Sequence, residues 1–585
     1  MSDKVISKMM KKFAVFMLPF LLSACAGGPI KVPENMAATD RITAEKPAEV
    51  AKPTPKPTPL SSKLLYHLMV AEIAGQRGRL GVAVQQYYRA AQISRDPEVV
   101  GRAARIAIYA RDDVAALKIG KLWLELEPDS VQAYTVIATA QIKQGQYGVA
   151  LQTLDRLLTL TEQRGQRGYH FIFSLLGRQG DKKAALDLLE KLMHKHGETA
   201  DALFAYGRLA LLDGELDKSA AAVKKLLLLK PEWEDGQQLW VNLLLREGKN
   251  NQAMAFLEKT VSQYPQNRSI RLYYARKLVD DRRLPDAYAQ FKVLLEQDSA
   301  NTDARYALGL LSLEMKHLDD AEGYFKTLYA DEERANESAY YLGQIAERRH
   351  KNSVALHWYS LVRNGQRYIE AQIRIAMMTA EAGDVDAARK RLHNIKVTSA
   401  TVKLRLYLAE GDILRATNHY EKAFDLYSKA LAELPDNSQL LYARALTAEK
   451  LDKLAVTLQD LETIVKHDPD NVQALNALGY TLADRTKRYQ DALKYIQIAY
   501  KLNSTDPAII DSLGWIYYRM GNYQKALKYL QRAFSTTKDP EIGAHLGEVL
   551  WVMGKQQQAR KVWQEALQTQ PEHKILRDVI KRFTQ

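Results

Sequence analysis

Few residues in this 585-residue chain stand at spacings that could do chemistry. His194 and His196 are the closest pair among twelve histidines. Alternate residues of a helix do not share a face, so the pair reads as surface rather than as metal ligands. Asp468-Pro469-Asp470-Asn471 opens like an acidic calcium loop. It lacks the glycine and the closing glutamate of such a loop, and a turn with an N-cap explains it better. No glycine-rich phosphate loop with a following lysine occurs, nor a Gly-x-Ser-x-Gly elbow, nor a His-Glu-x-x-His pair. The single cysteine, Cys25, has no second thiol to pair with. Catalysis needs convergent groups in a pocket. The sequence offers no such constellation, so the expectation is a non-enzyme with no cofactor and no metal, whose working part is a surface.

The elements that must present that surface repeat. From about Leu64 to Pro571 a loose unit of 33 to 35 residues recurs about fifteen times. Clear copies are Gly309, Ala321, Phe325 and Leu328; Gly343, Ala355, Tyr359 and Val362; and Gly547, Ala559, Trp563, Ala566 and Pro571. The apolar spacing is helical. Small residues at the eighth and twentieth positions let two helices approach, and the bulky residue at position 24 fills the gap between neighbours. Gly145, Gly180, Gly214, Gly248, Gly383, Gly521 and Gly554 are placed to end first helices. Pro128, Pro231, Pro265, Pro435, Pro469 and Pro571 are placed to stop second helices. Three copies depart from the pattern. Residues 160–180 hold Gly165 and Gly168 and a poor first helix; an extra residue falls between Arg485 and Tyr489; and Thr457 stands where alanine is expected.

This pattern resembles the tetratricopeptide repeat over nearly the whole chain after residue 60. The resemblance implies an all-α, right-handed superhelical solenoid of about 15 helical hairpins. In that family the first helix of each hairpin lines the concave face through positions 2, 5, 9 and 12. Carried onto this chain, those positions give Tyr306, Tyr340, Tyr442, Asn476, Tyr480, Asp511, Trp515, Tyr518 and Trp551 as protein-binding residues, with Glu337, Glu347, Glu449 and Glu548 between them. Aromatic anchors with a polar surround suit protein binding. The same rings could instead pack between adjacent first helices, and a register shift of one would expose Tyr517 in place of Tyr518. The family's clamp for a chain terminus uses lysine at position 5. From Tyr306 onward that position holds none, so that clamp is absent.

Residues 1–24 read as a secretory leader: Lys4, Lys8, Lys11 and Lys12, then an apolar run from Phe13 to Leu22 that is too short to span a bilayer. Met9 or Met10 could equally be the start. Leu22-Ser23-Ala24-Cys25 resembles the lipobox of bacterial lipoproteins, which implies cleavage before Cys25 and its acylation; a free thiol is the plain alternative. Ala26 in place of Asp implies, within that family, outer-membrane anchoring facing the periplasm. Residues 25–60 carry Pro29, Pro33, Pro47, Pro53, Pro55, Pro57 and Pro59 and read as a polyproline-rich tether. The solenoid is expected over 61–572 and a solvating end helix over 573–585.

Net charge is +14, and removal of residues 1–24 leaves +11. Lysine and arginine alternate with acids, as in Glu449-Lys450-Leu451-Asp452-Lys453, which is a solvated helix surface rather than a nucleic-acid patch. No nucleic-acid partner is expected. Asn476 to Asp484, followed by Asp511-Ser512-Leu513-Gly514-Trp515, resembles the last repeats of large outer-membrane tetratricopeptide lipoproteins of Gram-negative bacteria. That group includes the adaptor that binds a periplasmic carboxy-terminal processing protease and presents peptidoglycan hydrolases to it. The resemblance therefore implies such a protease and its substrates as partners; a scaffold for envelope assembly, in polysaccharide export or pilus construction, is the alternative. Oligomeric state is not legible.

Overall fold

The computed structural model describes residues 60–332 and 334–584, so Cys25, the leader and the tether lie outside the described residues. Among the described residues there are 31 α-helices and no strand, from α1 (Ser62–Gln76) to α31 (Lys574–Thr584). Fifteen helix hairpins precede the last helix, which is the all-α repeat solenoid expected from the sequence. The described residues fall into two compact units, 60–311 and 312–584. No helix among them is long and apolar enough to cross a membrane.

The small and bulky positions fit together within one hairpin. A β-carbon on Gly514 would lie 2.6 Å from Leu530 Cγ, and one on Gly343 would lie 2.6 Å from Tyr359 Cδ1. One on Gly547 would enter the Trp563 indole. The bulky residue of the second helix thus sits on the bare backbone of the first, and it also reaches the next hairpin, as Phe325 stacks on Tyr341 at 4.8 Å. Burying a plug such as Leu530 contributes about 1.5–3 kcal/mol. Where the turn carries its extra residue the pair shifts in step, and Gly479 meets Ile496. Thr457 keeps its place in the core by donating to the Ala445 carbonyl at 3.3 Å, as Ser219 does to Gly207 at 2.6 Å.

The turn between the helices needs a left-handed residue. Gly145, Gly214, Gly248, Gly383, Gly521 and Gly554 supply it, with φ between 72° and 102°. Copies without glycine force Arg282, Lys316, His350 and Asp452 into the same region, at about 1–2 kcal/mol each. Gly180 departs from expectation and is not left-handed. The first helix there, α7 (Gly168–Leu176), stops early, and the Lys182 ammonium takes up the carbonyls of Gly177 and Gln179. Six second helices end two residues before the prolines expected to stop them, as Leu229 precedes Pro231.

Arginines stitch several hairpins to the one before. Arg246 Nη1 donates to the Leu211 carbonyl at 3.2 Å, Arg348 Nη1 to Leu313 at 3.1 Å and Arg519 Nη1 to Asp484 at 2.8 Å. Each bond spans 35 residues and reaches a carbonyl in the last turn of a helix, where a cation suits the dipole.

Candidate partner-binding face

The expected binding residues lie on first helices. Tyr306 is partly buried on α15 (Thr302–Glu314). Tyr340, on α17 (Ala335–Arg348), is only 6% exposed, packs edge-on to Tyr341 at 5.4 Å and has the Arg367 guanidinium 5.3 Å from its ring. Burial raises its pKa. Tyr442, on α23 (Ser438–Lys450), is partly buried with its pKa raised by the same cause. These three lie on three separate hairpins; of the rest, Tyr480, Asp511, Trp515 and Tyr518 are brought together.

Convergence comes from the close packing of α25 (Val472–Arg485), α27 (Pro507–Arg519), α29 (Pro540–Val552) and α31. Gly479, Gly514 and Gly547 let each second helix seat tightly behind its first, which fixes the rotation of the first helix and so the direction of its polar side. Trp515 stacks on His545 with centroids 4.2 Å apart, and its Nε1 donates to Asp484 Oδ1 at 3.1 Å. Tyr518 lies 5.0 Å from Trp515 and donates its hydroxyl to Glu548 Oε1 at 3.0 Å. Arg582 on α31 pairs with the other oxygen of Glu548. Trp551 stacks on Trp563 at 5.5 Å, with the Arg560 guanidinium 5.3 Å from its ring. Asn476 Oδ1 is buried with no hydrogen-bond partner among the described residues. Trp515 and Asp511 are buried; Tyr480, Tyr518 and Trp551 keep part of their surface open. The rings therefore pack between adjacent first helices and also line their exposed side.

His545 is the residue that sequence reasoning missed. Its Nδ1 lies 3.0 Å from both oxygens of Asp511, and its Nε2 lies 3.5 Å from the Tyr480 hydroxyl. Burial alone would lower its pKa; the charge and hydrogen bond of Asp511, with Glu541 and Glu548, outweigh that and push it up to about 9. It is therefore an imidazolium at neutral pH. The available signal was spacing: Asp511 and His545 are 34 residues apart, one repeat, as are Glu548 and Arg582.

A His–Asp pair can serve as an acid–base relay, but a relay needs a nucleophile to activate. The group nearest the free nitrogen is the Tyr480 phenol. Burial, with Glu541, Asp484, Asp511 and Glu449 around it, raises its pKa and keeps it neutral. What this arrangement does chemically is hold aromatic faces at fixed positions with their charges paired. Elsewhere, Asn471 caps α25 by accepting from Ala474 N at 3.1 Å, so the acidic tetrapeptide is a capped turn. His196 sits 2.6 Å from Asp155. No group of side chains suited to a metal ion occurs among the described residues.

Models of the tetratricopeptide repeat match residues 401–572, and residues 172–234 and 306–368. The TPR repeat-containing protein PA4667 of Pseudomonas aeruginosa is 39% identical over 545 residues, covering 92% of this chain and 90% of its own. The chain belongs to the tetratricopeptide-repeat proteins. Human protein IFIT1 homolog B is 30% identical over 127 residues, 20% of this chain and 27% of its own. Among solved structures, the APC/C hetero-tetramer Cut9-Hcn1 aligns at a TM-score of 0.32 and 15% identity, covering 90% of this chain and 97% of that one. A Thermus thermophilus TPR protein, TTC0263, aligns at a TM-score of 0.28 and 26% identity, covering 32% and 97%. Repeats of this kind make protein-interaction scaffolds, which are generally non-catalytic.

Proposed function

We propose that this chain is a non-catalytic adaptor, anchored in the outer membrane through acylated Cys25 and facing the periplasm. In this reading it binds a carboxy-terminal processing protease and presents protein substrates such as peptidoglycan hydrolases. The observation that carries the reading is the row Tyr480, Trp515, Tyr518 and Trp551 on three successive first helices, fixed by hydrogen bonds and stacking. Pre-positioned aromatic anchors spare a binding partner the entropy of ordering them. The sequence around these rings is also where the chain resembles the adaptor's group. An adaptor of this kind accelerates proteolysis by raising effective concentration, without reacting itself.

Affinity capture from solubilised envelope tests it: a protease and a cell-wall hydrolase should co-purify with the full chain. Capture of outer-membrane channel components alone would favour the envelope-assembly reading and overturn this one. Cys25→Ser should move the protein from the membrane fraction to the soluble fraction, and unchanged sedimentation with outer membrane would refute the anchor.

A further inference from the structure

The first helix of the array, α1, leaves one apolar side uncovered. Leu65, Tyr66, Met69 and Ile73 recur along it at helical spacing and are 42%, 61%, 54% and 45% exposed. Its other side is buried through Leu64, His67, Ala71 and Ala74, which fixes its register against the interior hairpins. In α9 (Ala200–Asp213) those buried places hold Ala200, Leu203, Gly207 and Ala210. The places of Tyr66, Met69 and Ile73 hold Ala202, Ala205 and Leu209 there, all buried. An interior first helix packs on the hairpin before it. Among the described residues α1 has no hairpin before it, yet it carries large apolar side chains on that side. The last helix does the opposite: α31 exposes Lys574, Arg577, Asp578 and Lys581, the polar outer face that a solenoid end needs in water.

The surroundings of the apolar side are basic. Lys63 and Arg77 stand at its two ends and Arg79 just beyond, all exposed and without an ion pair among the described residues. The one acid of α1, Glu72, is taken up by Arg102 and the Tyr87 hydroxyl. Residues 46–95 hold eight lysines and arginines against two glutamates, +6 of the chain's +14 in under a tenth of its length. A second copy is a poor occupant. In an antiparallel two-fold pair of α1 helices Lys63 of one would face Arg77 of the other, and in a parallel pair each cation would face itself. An apolar stripe with a tyrosine and cations at its ends is the pattern of a helix lying in the surface of an anionic bilayer.

We propose that the uncovered side of α1 lies on an anionic phospholipid surface, with Leu65, Met69 and Ile73 entering the headgroup boundary and Lys63, Arg77 and Arg79 meeting lipid phosphates. It rests on the membrane-anchored reading, which leaves only the segment from Cys25 to Leu60 between the bilayer and α1. A tether of that length holds the helix at an effective concentration on the order of millimolar, so a weak and reversible contact is enough to be populated. Acyl anchor and basic apolar helix then act as two signals, and the first hairpin is held flat at the membrane.

The mature chain, residues 25–585 carrying Cys25→Ser, tests the face without an acyl group. It should float with vesicles of phosphatidylcholine containing roughly a third phosphatidylglycerol, at least about 10-fold more than with phosphatidylcholine alone. Salt at about 0.5 M should release it. Met69→Asp should lower the partition about 10-fold with helicity unchanged, and Met69→Gln decides the matter should the aspartate variant lose helicity. Equal flotation with both vesicles, none with either, or indifference to Met69 would each overturn the proposal. So would a dimer by sedimentation velocity that ignores vesicles and is dissolved by Met69→Asp, since the occupant would then be a second copy. Envelope fractionation after a salt wash separates the two readings. If vesicles fail while the wild-type chain sediments and Cys25→Ser does not, this face alone is lost. If vesicles bind while Cys25→Ser still sediments, the acyl anchor alone is lost.

Discussion

The end of the array and the surroundings of Arg208, on the first helix Ala200–Asp213, use the same kinds of residue to opposite effect. In residues 472–584, Asp484, Asp511 and Glu548 each meet a cation carried one repeat further on. Around Arg208 the cation meets rings instead. A paired charge is already satisfied, so the first region offers a partner shape and aromatic area at little cost of reorganisation. Arg208 makes no such pair and keeps part of its surface open, so the second region holds its charge against rings, with only the field of Asp235 on it. The contrast shows that one scaffold can either pair a charge with a residue one hairpin away or leave it against aromatic rings.

The sharpest way to break that contrast is to remove a ring that belongs to both packing and face. Trp515→Ala should cost about 3–5 kcal/mol in urea unfolding, because it deletes a buried indole, its stack on His545 and its bond to Asp484. A loss below about 1 kcal/mol would make Trp515 a pure contact residue. Gly547→Ala should cost about 1–3 kcal/mol by driving a methyl into Trp563, and should blunt partner capture.

A gentler probe is pH. His545 has its pKa raised to about 9 in the fold, against about 6.5 in an unfolded chain. Its contribution to stability is therefore fully present below pH ~6.5 and is lost as pH rises through ~9. The melting temperature should fall across that window, and His545→Gln should flatten the fall while lowering stability at pH 6. Asp511, Glu541, Glu548 and Tyr480 all face the imidazole, and an unchanged slope in the variant would transfer the effect to them. Smallest of all, Lys316→Gly should stabilise by about 0.5–1 kcal/mol, since glycine adopts its left-handed turn without a β-carbon clash.

The fold was legible because its rules are local and repeat: small at 8 and 20, bulky at 24, a left-handed residue near 15, proline after the second helix. Even Thr457, an apparent violation, obeys the steric rule and adds its own hydrogen bond. Rings were legible too, because helix period places Tyr480, Trp515 and Trp551 on first helices. Their partners were not, since burial and pairing depend on the neighbouring hairpin. In sequence His545 is a lone histidine in an apolar helix, and only the fold sets Asp511 beside it. The surroundings of Arg208 were only half legible: Phe204 stands one turn earlier on its own helix, but Phe173 comes from α7, where the repeat signal is poorest.

The arginine stitches of 35 residues carry an implication for how such a chain changes length. Each links a residue to the matching place one module earlier, so excising a whole module lets the flanking copies rejoin through the same bond. Excising half a module strands both donor and acceptor. A variant shortened or lengthened by one complete module is therefore expected to keep its fold, and one changed by half a module to lose stability.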